Sequence, residues 1–244
     1  MRYAILGDIH ANLSALEAVL AQIDRLEIDQ ILSVGDVVGY GAAPREVLEI
    51  LRERAIPVVQ GNHDAAVAGV LDASCFNALA RQAAEWTREV LTPDEIDWLK
   101  ALPLLHEAEH CVVGHGSYAE PEQFQYIQST EDADPSLDLQ TRPVCFVGHT
   151  HWPVCILRLR EDPERTFYTM EASLDLSIAD KALINVGSVG QPRDEDPRAA
   201  VGILDTEKRT YDLLRIEYDI EREASRIRGA GLPELLAGRL FMGI

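Results

Sequence analysis

Residues 2–36 read "RYAILGDIHANLSALEAVLAQIDRLEIDQILSVGD". The apolar run "RYAIL" (2–6) predicts a buried strand. A helix is expected over 12–26, where Leu13, Leu16, Leu20 and Ile23 recur on one face. "QILSV" (30–34) is again strand-like. "PREVLEILRER" (44–54) places Pro44 in a first helical turn and Val47, Leu48 and Leu51 on an apolar stripe. "PVVQ" (57–60) is read as a third short strand. This β-α-β-α-β rhythm implies a mainly parallel sheet with helices packed on it.

Further along, "FNALARQAAEWTREVL" (76–91) is amphipathic. Thr92 and Glu95 form a capping box around Pro93 and open another helix. "CVVG" (111–114) is strand-like. The acidic, Gln- and Ser-rich stretch from Glu120 to Asp138 is expected to be surface loop with one short helix. After Val144 the pattern is strand and turn. The end of the chain is helical, interrupted at Gly229–Gly231. No repeat or linker divides the sequence. The expected organisation is one body over 1–217 and a C-terminal helical extension over 218–244 packed on it.

The chain has 244 residues, 47% of them hydrophobic, enough for a sizeable core. Its formal net charge of -19 argues against binding long nucleic acid. A small phosphate substrate stays admissible, because a bound divalent cation can dominate the local field. The four cysteines form no C-x-x-C pair and read as buried free thiols in a reducing compartment. No secretory signal or membrane-length apolar run is seen. A soluble, cytoplasmic protein is expected, and an oligomer is left open.

The chemistry lies in the polar clusters just past the strands. "GDIH" brings Asp8 and His10, "GDVVGYG" brings Asp36, and "GNHD" brings Asn62 and His63. "GHGS" brings His115, and "VCFVGHTHWP" (144–153) brings His149 and His151. Taken singly each is weak: a lone "GD" is a turn, and "GNHD" serves equally as a helix N-cap. Yet five of the seven histidines fall in these clusters. Loops at the carboxyl ends of strands can converge on one site, and glycine lets their backbones approach it. Imidazole, carboxylate and carboxamide without thiolate suit a catalytic Mn, Fe, Zn, Ni or Co site rather than a closed structural zinc. The ligands suffice for two ions if one carboxylate is shared, and two ions ~3.5–4 Å apart can clamp in-line displacement at phosphorus.

In this order the clusters resemble the calcineurin-like metallophosphoesterase family. "NVGSVGQPRD" (185–194) resembles the N-P-G-S-x-G-x-P-R segment of its small bacterial branch, which includes the YfcE-type phosphodiesterases. The resemblance spans roughly residues 1–215. It implies a four-layer α/β/β/α sandwich of two mixed sheets flanked by helices. It also implies two divalent metal ions, with manganese favoured. Asp8, His10 and His151 would hold the first ion, Asn62, His115 and His149 the second, and Asp36 would bridge both. A metal-bridging hydroxide would attack a small phosphodiester, phosphomonoester or nucleotide in line, with His63 stabilising the transition state or protonating the leaving oxygen.

The sequence departs from the family's protein serine/threonine phosphatases, which carry G-D-x-x-D-R-G and R-G-N-H-E. Gly39, Tyr40, Gln60 and Asp64 stand at the positions of the second aspartate, the two arginines and the glutamate. The expectation is therefore a phosphodiesterase rather than a protein phosphatase. Arg193 is the candidate for gripping substrate phosphate; the alternative is a salt bridge to Asp194 or Asp196. Asn12 either serves the ligand loop and substrate or caps the first helix. Asn185 and Ser188 serve the turn or the site. The competing reading of the chain is a non-catalytic scaffold of the same fold, disfavoured because every ligand position is filled.

Overall fold

Alternation within single strands sets the layers. In β1 (Arg2–Leu6), Tyr3 and Ile5 face one core while Ala4 and Leu6 face another. In β5 (Val144–Val147), Val144 and Phe146 share the core of Tyr3 and Ile5, while Cys145 and Val147 point the other way. A strand buried on both faces needs a cover on each side, and two such sheets sharing one core give four layers.

The computed structural model describes residues 1–244. One sheet runs β2 (Gln30–Ser33), β1, β10 (Ala199–Asp205), β11 (Thr210–Ile216), β8 (Ser173–Asp175). The other runs β3 (Leu105–Glu107), β4 (Cys111–Gly114), β5, β9 (Ala179–Asn185), β6 (Val154–Leu159), β7 (Asp162–Thr169). The pairs β1–β2, β4–β5 and β5–β9 are parallel and the rest antiparallel. Both sheets are therefore mixed, and the β-α-β-α-β start does not yield a mainly parallel sheet.

Helices α1 (Leu13–Ile23) and α2 (Pro44–Glu53) cover the outer face of the first sheet through Leu16, Leu20, Val47, Leu48 and Leu51. Truncating any of these leucines to alanine would cost about 2–5 kcal/mol. Helix α6 (Thr130–Leu139) covers the outer face of the second sheet with Ala133 and Leu137. The acidic stretch thus supplies a whole layer; its helix is obscured in the sequence by internal Pro135 and by a buried face of only three residues. Helices α3 (Asn62–Val67), α4 (Ala78–Val90) and α5 (Pro93–Lys100) fill the middle of the chain. The capping box of Thr92 and Glu95 is formed. Helices α7 (Ile220–Gly229) and α8 (Glu234–Gly238) pack through Ile227 and Leu236, with Leu240 just past α8, on Ala80, Ala83 and Tyr40.

"PVVQ" is not a strand. It makes one isolated bridge, Val58 to Ser33. The Gln60 amide and side chain donate instead to Pro103 O and Leu99 O, so the chain leaves the sheet edge. Of the cysteines, Cys111, Cys145 and Cys155 are buried free thiols as expected, but Cys75 is exposed. No helix is long and apolar enough to cross a membrane.

Candidate metal centre

Strands β1, β2, β4 and β5 each hand over to one of the polar clusters, and α3 begins at Asn62. The side chains meet in two groups. Asp8, His10, Asp36 and His151 form one; Asp36, His115 and His149 form the other; within each, the ligand atoms all lie within 4.8 Å of one another. Asn62 joins the second group, its Oδ1 3.0 Å from His115 Nε2. Asp36 belongs to both. All of these residues are buried.

Local backbone geometry is bent to achieve this. Asp8, His10, Asp36, His149 and His151 all hold positive φ, between 44° and 68°. Non-glycine residues resist this region, and such strain persists only where the surroundings impose it. Gly61 makes room for Asp36: a Cβ there would collide with the Asp36 carboxylate and amide. Asp64, fully buried, accepts from the Val37, Val38 and Gly61 amides and so ties the "GNHD" loop to the loop carrying Asp36. "GNHD" is thus both a helix start and part of the site.

The ring orientations are set from behind. His10 Nδ1 lies 3.0 Å from Val38 O, His115 Nδ1 2.9 Å from Val34 O, and His151 Nδ1 2.6 Å from Gln191 O. Each Nδ1 therefore carries hydrogen and donates, which aims Nε2 at the cluster. The consequence is direct: His10 and His151 present their Nε2 atoms to each other at 3.1 Å. Burial lowers both rings well below the ordinary histidine value, so both are neutral and two lone pairs face one another. His149 is likewise lowered by burial, to about 3. For His115, burial works downward, but the Asp36 and Asp8 carboxylates outweigh it and raise it to about 9. Burial raises Asp8 to about 7. Converging imidazoles, three of the four held neutral, and carboxylates fit divalent cations; without them the opposed lone pairs of His10 and His151 have no compensation.

The remaining candidates divide. His63 lines the cleft beside this cluster. Its ring packs between Tyr40 and Phe76 at 4.5 and 4.7 Å, its amide donates to Asp36 Oδ1 at 2.8 Å, and its Nδ1 is buried without a partner. Gly39, at φ +87°, lies against that Nδ1, so no side chain there orients the ring. Arg193 makes neither expected ion pair: Asp194 pairs with Arg215, and Asp196 with Arg198 and Arg215. Its guanidinium bonds Gln191 Oε1 at 3.0 Å, leaves Nε without a partner, and lies 5.7 Å from the Tyr40 ring. Its charge reaches Asp8, His10, His63, His149 and His151.

Asn12 caps α1, accepting from Ala15 N at 3.0 Å, and its amide donates to Gly190 O at 2.9 Å and Tyr218 Oη at 3.2 Å. It is buried and engaged at both ends, so the cap holds and a substrate contact has no geometric support. Asn185 donates to Gly148 O and Thr150 Oγ1, and Ser188 donates to Asp8 O at 2.7 Å. Both steady the ligand loops through the turn they sit in. Sequence reasoning missed Tyr126, which stacks on His149 with centroids 3.9 Å apart, and Phe124, 6.0 Å from His115. The available signal was two aromatics in an otherwise polar stretch, "EPEQFQYIQST" (120–130).

Comparison with known proteins identifies the family. A crystal structure of a metallophosphoesterase from Sphaerobacter thermophilus matches with a TM-score of 0.86 at 38% identity, covering 100% of both chains. A protein of Methanocaldococcus jannaschii, named only as uncharacterized, is 36% identical over 246 residues, 98% of this chain and 97% of its own. The symmetrical bis(5′-nucleosyl)-tetraphosphatase of Yersinia enterocolitica is 26% identical over 144 residues, which are 58% of this chain and 45% of that enzyme. The family model of the calcineurin-like phosphoesterase superfamily domain matches residues 1–209, well over half of the sequence. The chain therefore belongs to the calcineurin-like phosphoesterase superfamily.

Proposed function

We propose that the chain is a dinuclear metal-dependent phosphoesterase that hydrolyses a small phosphate ester. The observation that carries this reading is the sharing of Asp36 by two buried ligand groups. Asp8, His10, Asp36 and His151 would hold one ion, and Asp36, Asn62, His115 and His149 the other. The donor set admits Mn, Fe, Zn, Ni or Co, and manganese is the ion to try first. Two divalent cations held there would supply Lewis acidity at phosphorus and an acidified water for in-line attack.

The chain's own groups do the rest. Arg193, free of carboxylate partners, would hold non-bridging oxygens by charge-assisted hydrogen bonds. His63, clamped between two aromatic rings, would donate a hydrogen bond to the charge that develops as the ester bond breaks. Asp64, Asn185 and Ser188 would act as positioning residues. Gly39 and Tyr40 in place of an aspartate and an arginine support a diesterase over a protein phosphatase, since the groups that grip a monoester dianion are missing. Free thiols support a cytoplasmic setting.

The test uses the full chain stripped with chelator and reloaded with each of the five metals. Bound metal is counted by mass spectrometry, and bis(p-nitrophenyl) phosphate is compared with p-nitrophenyl phosphate. The expected result is two ions per chain and faster diester hydrolysis. One ion at saturation, or no hydrolysis with any metal, overturns the reading.

A further inference from the structure

Next to the candidate metal ligands, the site carries more aromatic surface than the clamp of Tyr40 and Phe76 on His63 requires. A cleft of about 340 Å³ opens beside Asn62, His63 and His149, lined by Tyr40, Phe76, Phe124 and Tyr126. Tyr126 is 50% exposed, with its ring laid flat on His149 at an interplanar angle of 14°. Phe124 holds φ 49° and ψ 43°, a left-handed conformation that a bulky side chain adopts only under constraint. The constraint is visible: a Cβ on Gly116, next to His115, would meet Gln125 O at 2.6 Å and Phe124 C at 2.9 Å. The strained turn is thus seated on a ligand loop and presents its aromatic residues to the cleft.

Cations and Arg193 account for binding a phosphate; the Tyr126 hydroxyl reaches Arg193, but the ring faces of Phe124 and Tyr126 do not contribute to it. Their π faces suit a planar group on the organic side of the ester. The carboxamides of Gln123 and Asn77 line the same cleft and suit a group whose edge carries donors and acceptors. A nucleobase combines both properties, and base stacking on Phe and Tyr is tolerant of base identity. The cleft volume lies at the lower end of small-ligand pockets, about 300–1,000 Å³. We propose that this cleft seats the nucleobase of the substrate on the wall formed by Phe124 and Tyr126, so that the esters hydrolysed are nucleotides. The inference rests on the metal centre holding the phosphate, as proposed above.

The experiment is calorimetric titration of the manganese-loaded full chain with three probes: the monomethyl esters of two phosphonates, the analogue of adenosine 5′-monophosphate and methylphosphonate, and adenosine. The nucleoside phosphonate ester should bind on the order of tenfold tighter than the methylphosphonate ester, the scale of one stacked base. Tyr126→Ala should remove most of that ratio, and Tyr126→Phe should keep it. Tyr126 is half exposed, so these variants are expected to fold. Phe124→Ala is the second probe of the same wall. Equal affinity for the two phosphonates, or a ratio unmoved by both alanine variants, overturns the nucleobase cleft while leaving the metal centre standing. Binding of adenosine, lost in Tyr126→Ala, with no binding of either phosphonate would support the cleft and overturn the phosphate reading instead.

Discussion

His10 and His151 lie far apart in the sequence, yet their Nε2 atoms face each other at 3.1 Å, each ring held from behind by a main-chain carbonyl. Two neutral acceptors at that separation need a cation between or beside them. Chelation should therefore abolish hydrolysis and also destabilise the fold. Metal at a hundredfold excess over Kd adds about 2.7 kcal/mol. For a chain of this length that raises Tm by roughly 5–10 °C. A Tm that ignores both chelator and metal would mean the cluster is a hydrogen-bonded core feature.

Metal loading should depend on pH. His115, raised to about 9, carries a proton at pH 7, and Asp8, raised to about 7, is partly protonated there. A cation must displace those protons. Apparent affinity should rise from pH 6 toward pH 9, by up to about tenfold per pH unit for each proton displaced, and level off above it. Titration in buffers of different ionisation enthalpy checks this; an affinity flat across that range contradicts the assignment of His115 as a ligand.

Asp36 and His149 should differ in what they lose. Asp36→Asn weakens both ions, whereas His149→Ala leaves the group of Asp8, His10, Asp36 and His151 intact. The expected stoichiometries are below one ion and about one ion, with kcat falling by at least about a thousandfold in each, a scale set by the metal's share of charge stabilisation. Circular dichroism should show both variants folded. Full turnover in Asp36→Asn removes the shared-carboxylate assignment, and full turnover in His149→Ala removes His149 as a ligand.

Gly61→Ala adds one methyl group, which would collide with Asp36. The loop must shift, and the Asp36 carboxylate with it. Metal affinity should fall at least tenfold although no ligand has been replaced, since misplaced ligands forfeit coordination. Wild-type metal affinity in this variant would show that the close approach is not required.

His63→Ala should keep two ions and lower kcat about 10²–10⁴-fold, the range for a lost catalytic proton or hydrogen-bond donor. Arg193→Gln should instead raise KM, because its contact is made to substrate as well as to the transition state. If His63→Ala lost metal, or Arg193→Gln left KM unchanged, the two roles would be misassigned.

Much of this was legible before the fold was known. The apolar run "RYAIL" and the stripe Leu13–Leu16–Leu20–Ile23 each specify their own local structure, and the five polar clusters after a glycine supply the side chains that meet in the two buried groups. "PVVQ" misled because its strand-like composition says nothing about whether a partner edge accepts its amides; Gln60 bonds to the last turn of α5 and the segment just after it instead. Helix α6 was underread because only three of its residues are buried. Asn12 and Arg193 each carried two readings that only their neighbours could separate.

From the sequence alone came the candidate ligands, because donor type is written in each side chain and the glycines beside them permit close approach. Tertiary structure alone showed that these side chains meet in two buried groups with Asp36 in common, that Arg193 lacks a carboxylate partner, and that Tyr126 lies on His149. Those relations join groups carried by different segments of the chain, set by how two sheets align across a common core, and no local pattern encodes a distance of that kind.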